Sequence, residues 1–275
     1  MAAVDAYAQQ DYARCAQVLG DLNARAVVLP KGGPLLLIEC IAADGQLDRA
    51  ARELNMLLPK GGIDLEDLRH KDRPGLNALR EQPSWTAIIQ DAERLDAQRR
   101  ARFNASLRQE LLKREARDQR LRHEAIARGG KPGDWALTES DDRDNLRWLK
   151  AMLDRDGWPT VTTVGEDGAK AAWLLVQHAD KDPGLQARAL LLMQEAVSRN
   201  EASASELAML TDRVLLAQGK PQRYGSQFDS LADGSMVLRP TEDMQGLDAR
   251  RAAVGLPSME EYRKALSEAY RKQVR

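Results

Sequence analysis

The sequence predicts an all-α protein with one small β-hairpin: helical repeats joined by a long helix to a helical domain. Three observations lead there. Arg, Glu, Leu and Ala are abundant and only two Phe occur in 275 residues, which suits helices with small-residue packing better than a sheet. The stretch from Asp91 to Arg128 contains neither Pro nor Gly. The first segment aligns with itself at an offset of 35 residues, Ala6–Cys15 on Ile41–Ala50.

The chain length leaves room for one large domain or two ordinary ones. In each copy of the internal repeat a helix ends, a tight turn follows, and a second helix begins. This resembles tetratricopeptide repeats, whose period is about 34 residues, and covers roughly residues 3–90 with a truncated first copy. The resemblance implies a concave face for a protein or peptide partner. Stacked repeats need a neighbour to bury their faces, so Ile63–Leu68 and Leu76–Ile89 are expected to cap the array. Residues 91–128 read as one long connecting helix, or two with a break near Phe103-Asn104. Its Arg residues suit a solvated face, since no aromatic side chains interleave with them to stack on bases.

Residues 129–275 read as the second domain. Gly129–Gly133 is a loop. A helix runs from Thr138 to Asp156, ended by Gly157-Trp158-Pro159. An extended piece, Thr160–Val164, precedes a buried helix over Glu166–Ala179. Asp182-Pro183 starts the next helix, which runs to about Ser198. Ser203 with Glu206 starts another, ending near Gly219. Phe228–Pro240, around Asp233-Gly234, reads as the hairpin, and Ser258 with Glu261 starts a last helix running to the C-terminus.

Polar residues set into apolar helices mark a candidate site. His178 ends the buried helix on the face of Ala171 and Leu175; it reads as a general base or as a core histidine bonded to a carbonyl. Asp212 lies in an apolar helix, and a buried carboxylate costs several kcal/mol unless paired. It reads as an acid orienting His178 or as half of an ion pair. Gln222, Tyr224 and Gln227 alternate on a loop, and their amides and phenol suit a polar ligand or the loop's own bonds. Asp118, Gln119 and Arg122 share one face of the long helix, projecting into the same space or into solvent.

Gly157-Trp158-Pro159, Gln177-His178-Ala179-Asp180, Leu210-Thr211-Asp212-Arg213-Val214 and Gln222-Arg223-Tyr224-Gly225-Ser226-Gln227 together resemble the bacterial domain-of-unknown-function 6624 family. Asp118-Gln119 with Arg122, Asp142 with Asn145, and Asp248 with Arg250-Arg251 extend the likeness, which covers about residues 104–275. Ser226 stands where the family often has Thr. The resemblance implies that Gln177, Asp180, Arg213 and Trp158 join the ligand-binding set, with His178 and Asp212 as catalytic candidates.

Three functions compete: a module binding a small polar or peptide ligand, a hydrolase-like enzyme using His178 and Asp212, and a scaffold. The net charge of −1 provides no basic field for nucleic acid, and no apolar run approaches the ~18 residues that span a bilayer. Two Cys and three His leave little for a metal site. No cofactor is expected, since Gly32-Gly33 and Gly61-Gly62 fall in repeat turns and form no phosphate loop. Cys15 and Cys40 fall on helices that pack antiparallel, level across the turn from Asn23 to Lys31. They are expected to form a disulfide, with two buried free thiols as the alternative. A bridge points to a periplasmic or secreted protein, its Met1-Ala2-Ala3 opening fitting a trimmed mature chain; the alternative is the cytoplasm.

Overall fold

Helical hairpins build the first part of the chain. The computed structural model describes residues 2–25, 29, 32–130 and 133–275. Its chain divides into two units, Met1–Ala101 and Arg102–Arg275, described separately here. The first unit holds α1 (Ala2–Ala8), α2 (Tyr12–Ala24), α3 (Gly33–Ala43), α4 (Leu47–Leu57), α5 (Leu65–His70), α6 (Pro74–Arg80) and α7 (Trp85–Arg100). Asp11 caps α2 by accepting from the Arg14 backbone N–H. Gly45, at φ 82°, makes the turn from α3 into α4. α1 packs on α2, α2 on α3, and α3 on both α4 and α6. Ile38, Ile41, Leu54, Leu68, Leu76 and Leu79 fill the core between them. The capping region is three helices, because a turn at Gln82, closed by Trp85 N–H to Gln82 O, separates α6 from α7.

Cys15 on α2 and Cys40 on α3 are joined by a disulfide, with Cα atoms 5.9 Å apart. The turn between these helices contains 26–28, 30 and 31, which lie outside the described residues. One residue along from the bridge, Glu39 is fully buried. Its carboxylate accepts the Gly75 and Leu76 backbone N–H groups at 3.0 and 2.7 Å and the Tyr7 hydroxyl at 3.0 Å. These N–H groups are otherwise unpaired donors of the first turn of α6, so one side chain ties α1, α3 and α6 together. Gly75 allows that approach: a Cβ there would lie 2.2 Å from Glu39 O.

Of the two readings of residues 91–128, the structure shows two helices with the break at 101–104, beside Phe103-Asn104. α7 ends at Arg100 and α8 spans Ala105–Ala127. Asn104 caps α8, its side chain accepting from Leu107 N–H at 3.0 Å. The unit boundary falls in this break.

The second unit continues with α9 (Glu139–Asp156), α10 (Val161–Gln177), α11 (Pro183–Ser198), α12 (Ala204–Ala217), β1 (Phe228–Ser230), β2 (Met236–Leu238), α13 (Leu247–Ala253) and α14 (Met259–Tyr270). α10 packs along α8 and also meets α9, α11 and α12, while α11 packs on α12. Leu111, Leu149, Met152, Leu175, Met193 and Leu210 fill this core. The piece expected to be extended, Thr160–Val164, is instead a first helical turn capped by Thr160. Gly165 breaks it from the rest of α10 at φ 76°, ψ 167°, where Phe103 packs so closely that a Cβ would meet its ring at 3.0 Å. Asp182 and Ser203 cap α11 and α12, and Ser258 with Glu261 forms a complete capping box on α14.

The hairpin pairs Phe228 with Leu238 in antiparallel register. α14 stops at Tyr270, short of the C-terminus, and the last residues lie against β2: Met236 N–H donates to Gln273 O and Arg275 N–H to Met236 O. The loop expected at Gly129–Gly133 includes 131 and 132, which lie outside the described residues. Among the described residues no helix is long and apolar enough to cross a membrane.

Two outcomes follow from the first unit. Glu39→Ala strands three donors and should cost roughly 3 kcal/mol in urea unfolding of the full chain, and reduction of the disulfide should cost a similar ~3 kcal/mol. Burial, and then Glu39, push the Tyr7 hydroxyl up to about 12. Its folded value exceeds its unfolded one, so its stabilisation is complete below pH 10 and is lost as pH rises through about 12; tyrosinate absorbance with circular dichroism reads this.

Candidate functional site

The site begins with a change of chemistry along one helix face. On α8, Leu107, Leu111, Arg114, Asp118, Arg122 and Ala125 follow one another at spacings of three and four, so they share a face. Its first turns are hydrocarbon; its later turns bury Asp118 at 2% exposure. Opposite runs α10, whose Ala171 and Leu175 are buried, with His178 at its C-cap.

His178 Nδ1 lies 2.7 Å from Asp118 Oδ2. The same carboxylate accepts Gln119 Nε2 on Oδ2 and Arg122 Nε on Oδ1, both at 3.0 Å. Burial opposes the charge on Asp118, but the bonds from His178 and Gln119 and the nearby Arg122 outweigh it and hold the carboxyl below its ordinary value. The imidazole is partly open, its side chain 19% exposed, and no described residue bonds Nε2. The acid on His178 is therefore Asp118, and the expected pairing with Asp212 is absent. Gln119 Nε2 and Arg122 Nε are thus turned towards Asp118.

Arg122 continues to α9, where Nη2 donates to Asp142 Oδ1 at 2.7 Å; the Thr138 hydroxyl lies 2.8 Å from Asp142 Oδ2. One turn before Asp118 on α8, Arg114 reaches Asp144 and Asn145 and lies over the Trp148 ring.

Just past His178, Asp180 Oδ1 accepts Gln186 Nε2 at 3.1 Å and Arg213 Nη1 at 2.7 Å. Gln186 also donates to the carbonyls of Val176 and Gln177, which satisfies the open end of α10. Two donors here lack an acceptor among the described residues: Gln177 Nε2 and Arg213 Nε.

Asp212 is fully buried and does different work. Its Oδ1 accepts the Arg223 and Tyr224 backbone N–H groups at 2.7 and 2.8 Å, and Oδ2 accepts Ser226 N–H at 2.8 Å. The loop thus wraps onto one carboxylate. Gln222 is also fully buried and is spent within the loop, donating to Gln227 O and Arg239 O and accepting from Gln227 N–H. Gln227 Nε2 turns to Ser226 Oγ. Arg251, fully buried, donates to Tyr224 O and Pro257 O at 2.6 Å and lies 4.7 Å over the Tyr262 ring. Burial lowers its affinity for its proton against the pull of Tyr262, Asp248 and Asp212. Tyr224 is half-buried with Arg223 over its ring at 5.9 Å. Trp158, expected at the ligand, is 7% exposed in the hydrophobic core before α10.

The structure therefore separates the single cleft expected from sequence into a His178 centre and an Asp212 loop anchor. Among the described residues no cluster of three His, Cys, Asp or Glu could hold a metal. A depression of about 370 Å³ lies near the start of α8, beside Asn104, Glu110, Trp148 and Arg155, away from both centres.

Residues 105–275 match the profile of a family of unknown function, DUF6624, and the chain belongs to that family. No curated protein and no solved structure matches it.

Asp212→Asn keeps the shape but presents an amide N–H to at least one loop donor. It should cost roughly 2–3 kcal/mol and raise hydrogen exchange at Arg223, Tyr224 and Ser226 while leaving the amide of His178 protected.

Proposed function

We propose that this DUF6624 domain binds a small polar ligand beside His178 and exchanges a proton with it, as a hydrolase-like acid–base site. The observation that carries the reading is the 2.7 Å contact between His178 Nδ1 and a carboxylate that is 2% exposed. An ionised Asp118 accepts the Nδ1 proton, which leaves the Nε2 lone pair free to take a proton from a ligand or from water. Asp118 then stabilises the imidazolium that forms. Asp118 thus takes the role first given to Asp212, and Asp212 shapes the neighbouring loop.

The ligand's chemistry follows from the donors near Asp180. Gln177 Nε2 and Arg213 Nε are buried and lack acceptors among the described residues, so a ligand that displaced the side chains covering them would satisfy them with acceptor oxygens, such as a carboxylate or a peptide carbonyl.

A second reading belongs to the first unit. Its paired helices support a tetratricopeptide-like module that holds a protein or peptide partner. A depression of about 570 Å³ beside Asn55, Ser84, Ile88 and Arg94 suits a short segment. The Cys15–Cys40 bridge supports a periplasmic or secreted setting, with a cytoplasmic one as the alternative.

Thermal melting with succinate, inorganic phosphate and an Ala-Glu dipeptide tests the site. Saturation at a hundredfold excess over Kd should stabilise by about 2.7 kcal/mol, and His178→Ala should abolish that gain. A gain that survives in His178→Ala contradicts the reading.

A further inference from the structure

Behind the His178–Asp118 pair stands a chain of bonds that never reaches Nε2. Arg122 spreads its guanidinium between two carboxylates, Nε on Asp118 Oδ1 at 3.0 Å and Nη2 on Asp142 Oδ1 at 2.7 Å. Asp142 is fixed in turn. Its Oδ2 lies 2.8 Å from the Thr138 hydroxyl, and its own N–H donates to Thr138 O at 2.8 Å. Thr138 is 4% exposed and Arg122 only 16% by its side chain.

We propose that Arg122, aimed by Asp142 and Thr138, is a positioning residue that fixes His178 in the tautomer carrying its proton on Nδ1. This deepens the proposed function and rests on its premise that Nε2 is the atom facing the ligand.

The argument turns on which group donates across the Asp118–His178 contact. While Asp118 is ionised it can only accept, so Nδ1 must carry the proton and Nε2 is the open lone pair. Removing its cationic partner loosens a buried carboxylate from the geometry that holds the Nδ1 proton. A weaker acceptor at Asp118 releases Nδ1–H, and the neutral imidazole shifts towards the form with its proton on Nε2. The face offered to the ligand then changes from acceptor to donor, although no residue at that face has changed. Lys at position 122 keeps a positive charge but lacks the planar fork that bonds both carboxylates together. Asp142 matters only through Arg122, since it touches neither His178 nor Asp118 in the described contacts.

The test is nitrogen-15 NMR of the full chain labelled at histidine, followed over a pH series so that the tautomers of the neutral imidazole are read directly. Three histidines give signals, at 70, 123 and 178, and His178→Gln assigns the third. Wild type should show Nδ1–H at His178. Arg122→Gln should shift the ratio of tautomers towards Nε2–H by about tenfold, the equivalent of one charge-assisted bond. Arg122→Lys should restore part of the wild-type ratio, and Asp142→Ala should move it in the direction of Arg122→Gln. The far-ultraviolet dichroism reports whether each variant is folded.

If Arg122→Gln does not fold, Asp142→Ala, which keeps the arginine, decides by the same ratio. A wild-type tautomer in every folded variant overturns the proposal. That result would leave the ligand test untouched, whereas a ligand shift independent of His178 would sink the proposed function with the tautomer intact.

Discussion

A carboxylate cannot be buried at 2% exposure without donors on every side, because an unpaired one costs several kcal/mol. Asp118 meets this demand with three side chains: Gln119 and Arg122 from its own helix and His178 from the facing one. Their meeting fixes the register of α8 against α10, so that the C-cap of α10 lies level with the middle of α8. It also recruits α9, through the bond from Arg122 to Asp142. Leu107 and Leu111 share the hydrophobic core with Val164, Ala171 and Leu175 of α10, but hydrocarbon alone would tolerate a slip along the helices that a charge would not.

Among the described residues Glu39, Asp118 and Asp212 are the carboxylates at 2% exposure or less, and the nature of their donors separates architecture from chemistry. Glu39 binds the first turn of α6 together with the Tyr7 hydroxyl. Asp212 takes three backbone N–H groups of one loop. Backbone amides neither titrate nor leave, so these two are anchors. Asp118 alone is bonded to an imidazole, whose side chain stays partly exposed and whose second nitrogen bonds no described residue. The same constraint thus builds a helix cap, a loop and a candidate acid–base centre.

Much of this was legible in the residues. The helix caps at Asp182, Ser203 and Ser258 stand where the sequence placed them, and the hairpin forms around Asp233-Gly234. The bridge between Cys15 and Cys40 followed from the turn between two antiparallel helices. His178 and Asp212 stood out because polar groups are costly inside apolar helices. Their partners were hidden, since a single sequence does not show which helices face each other. Asp118 lies sixty residues from His178 in a helix so rich in charge that a buried carboxylate looked like one more solvated side chain. The signal was the stripe from Leu107 and Leu111 to Asp118 and Ala125, which continues the apolar face. The Gln222–Gln227 loop took the second of its two readings: the Gln222 and Gln227 side chains are spent on nearby backbone and Ser226, while Asp212 holds the loop's backbone N–H groups. The helix over Leu247–Ala253 went unread because its seven residues are too few to show a period.

The central claim is that Asp118 and His178 act as one unit. A double-mutant cycle with Asp118→Ala, His178→Ala and the pair, read by urea unfolding of the full chain at pH 7, tests it most directly. The account predicts a coupling of about 2 kcal/mol, as for a buried hydrogen bond to a charged group. Additive effects within about 0.5 kcal/mol would show two neighbours that share a boundary and no bond, and would contradict it.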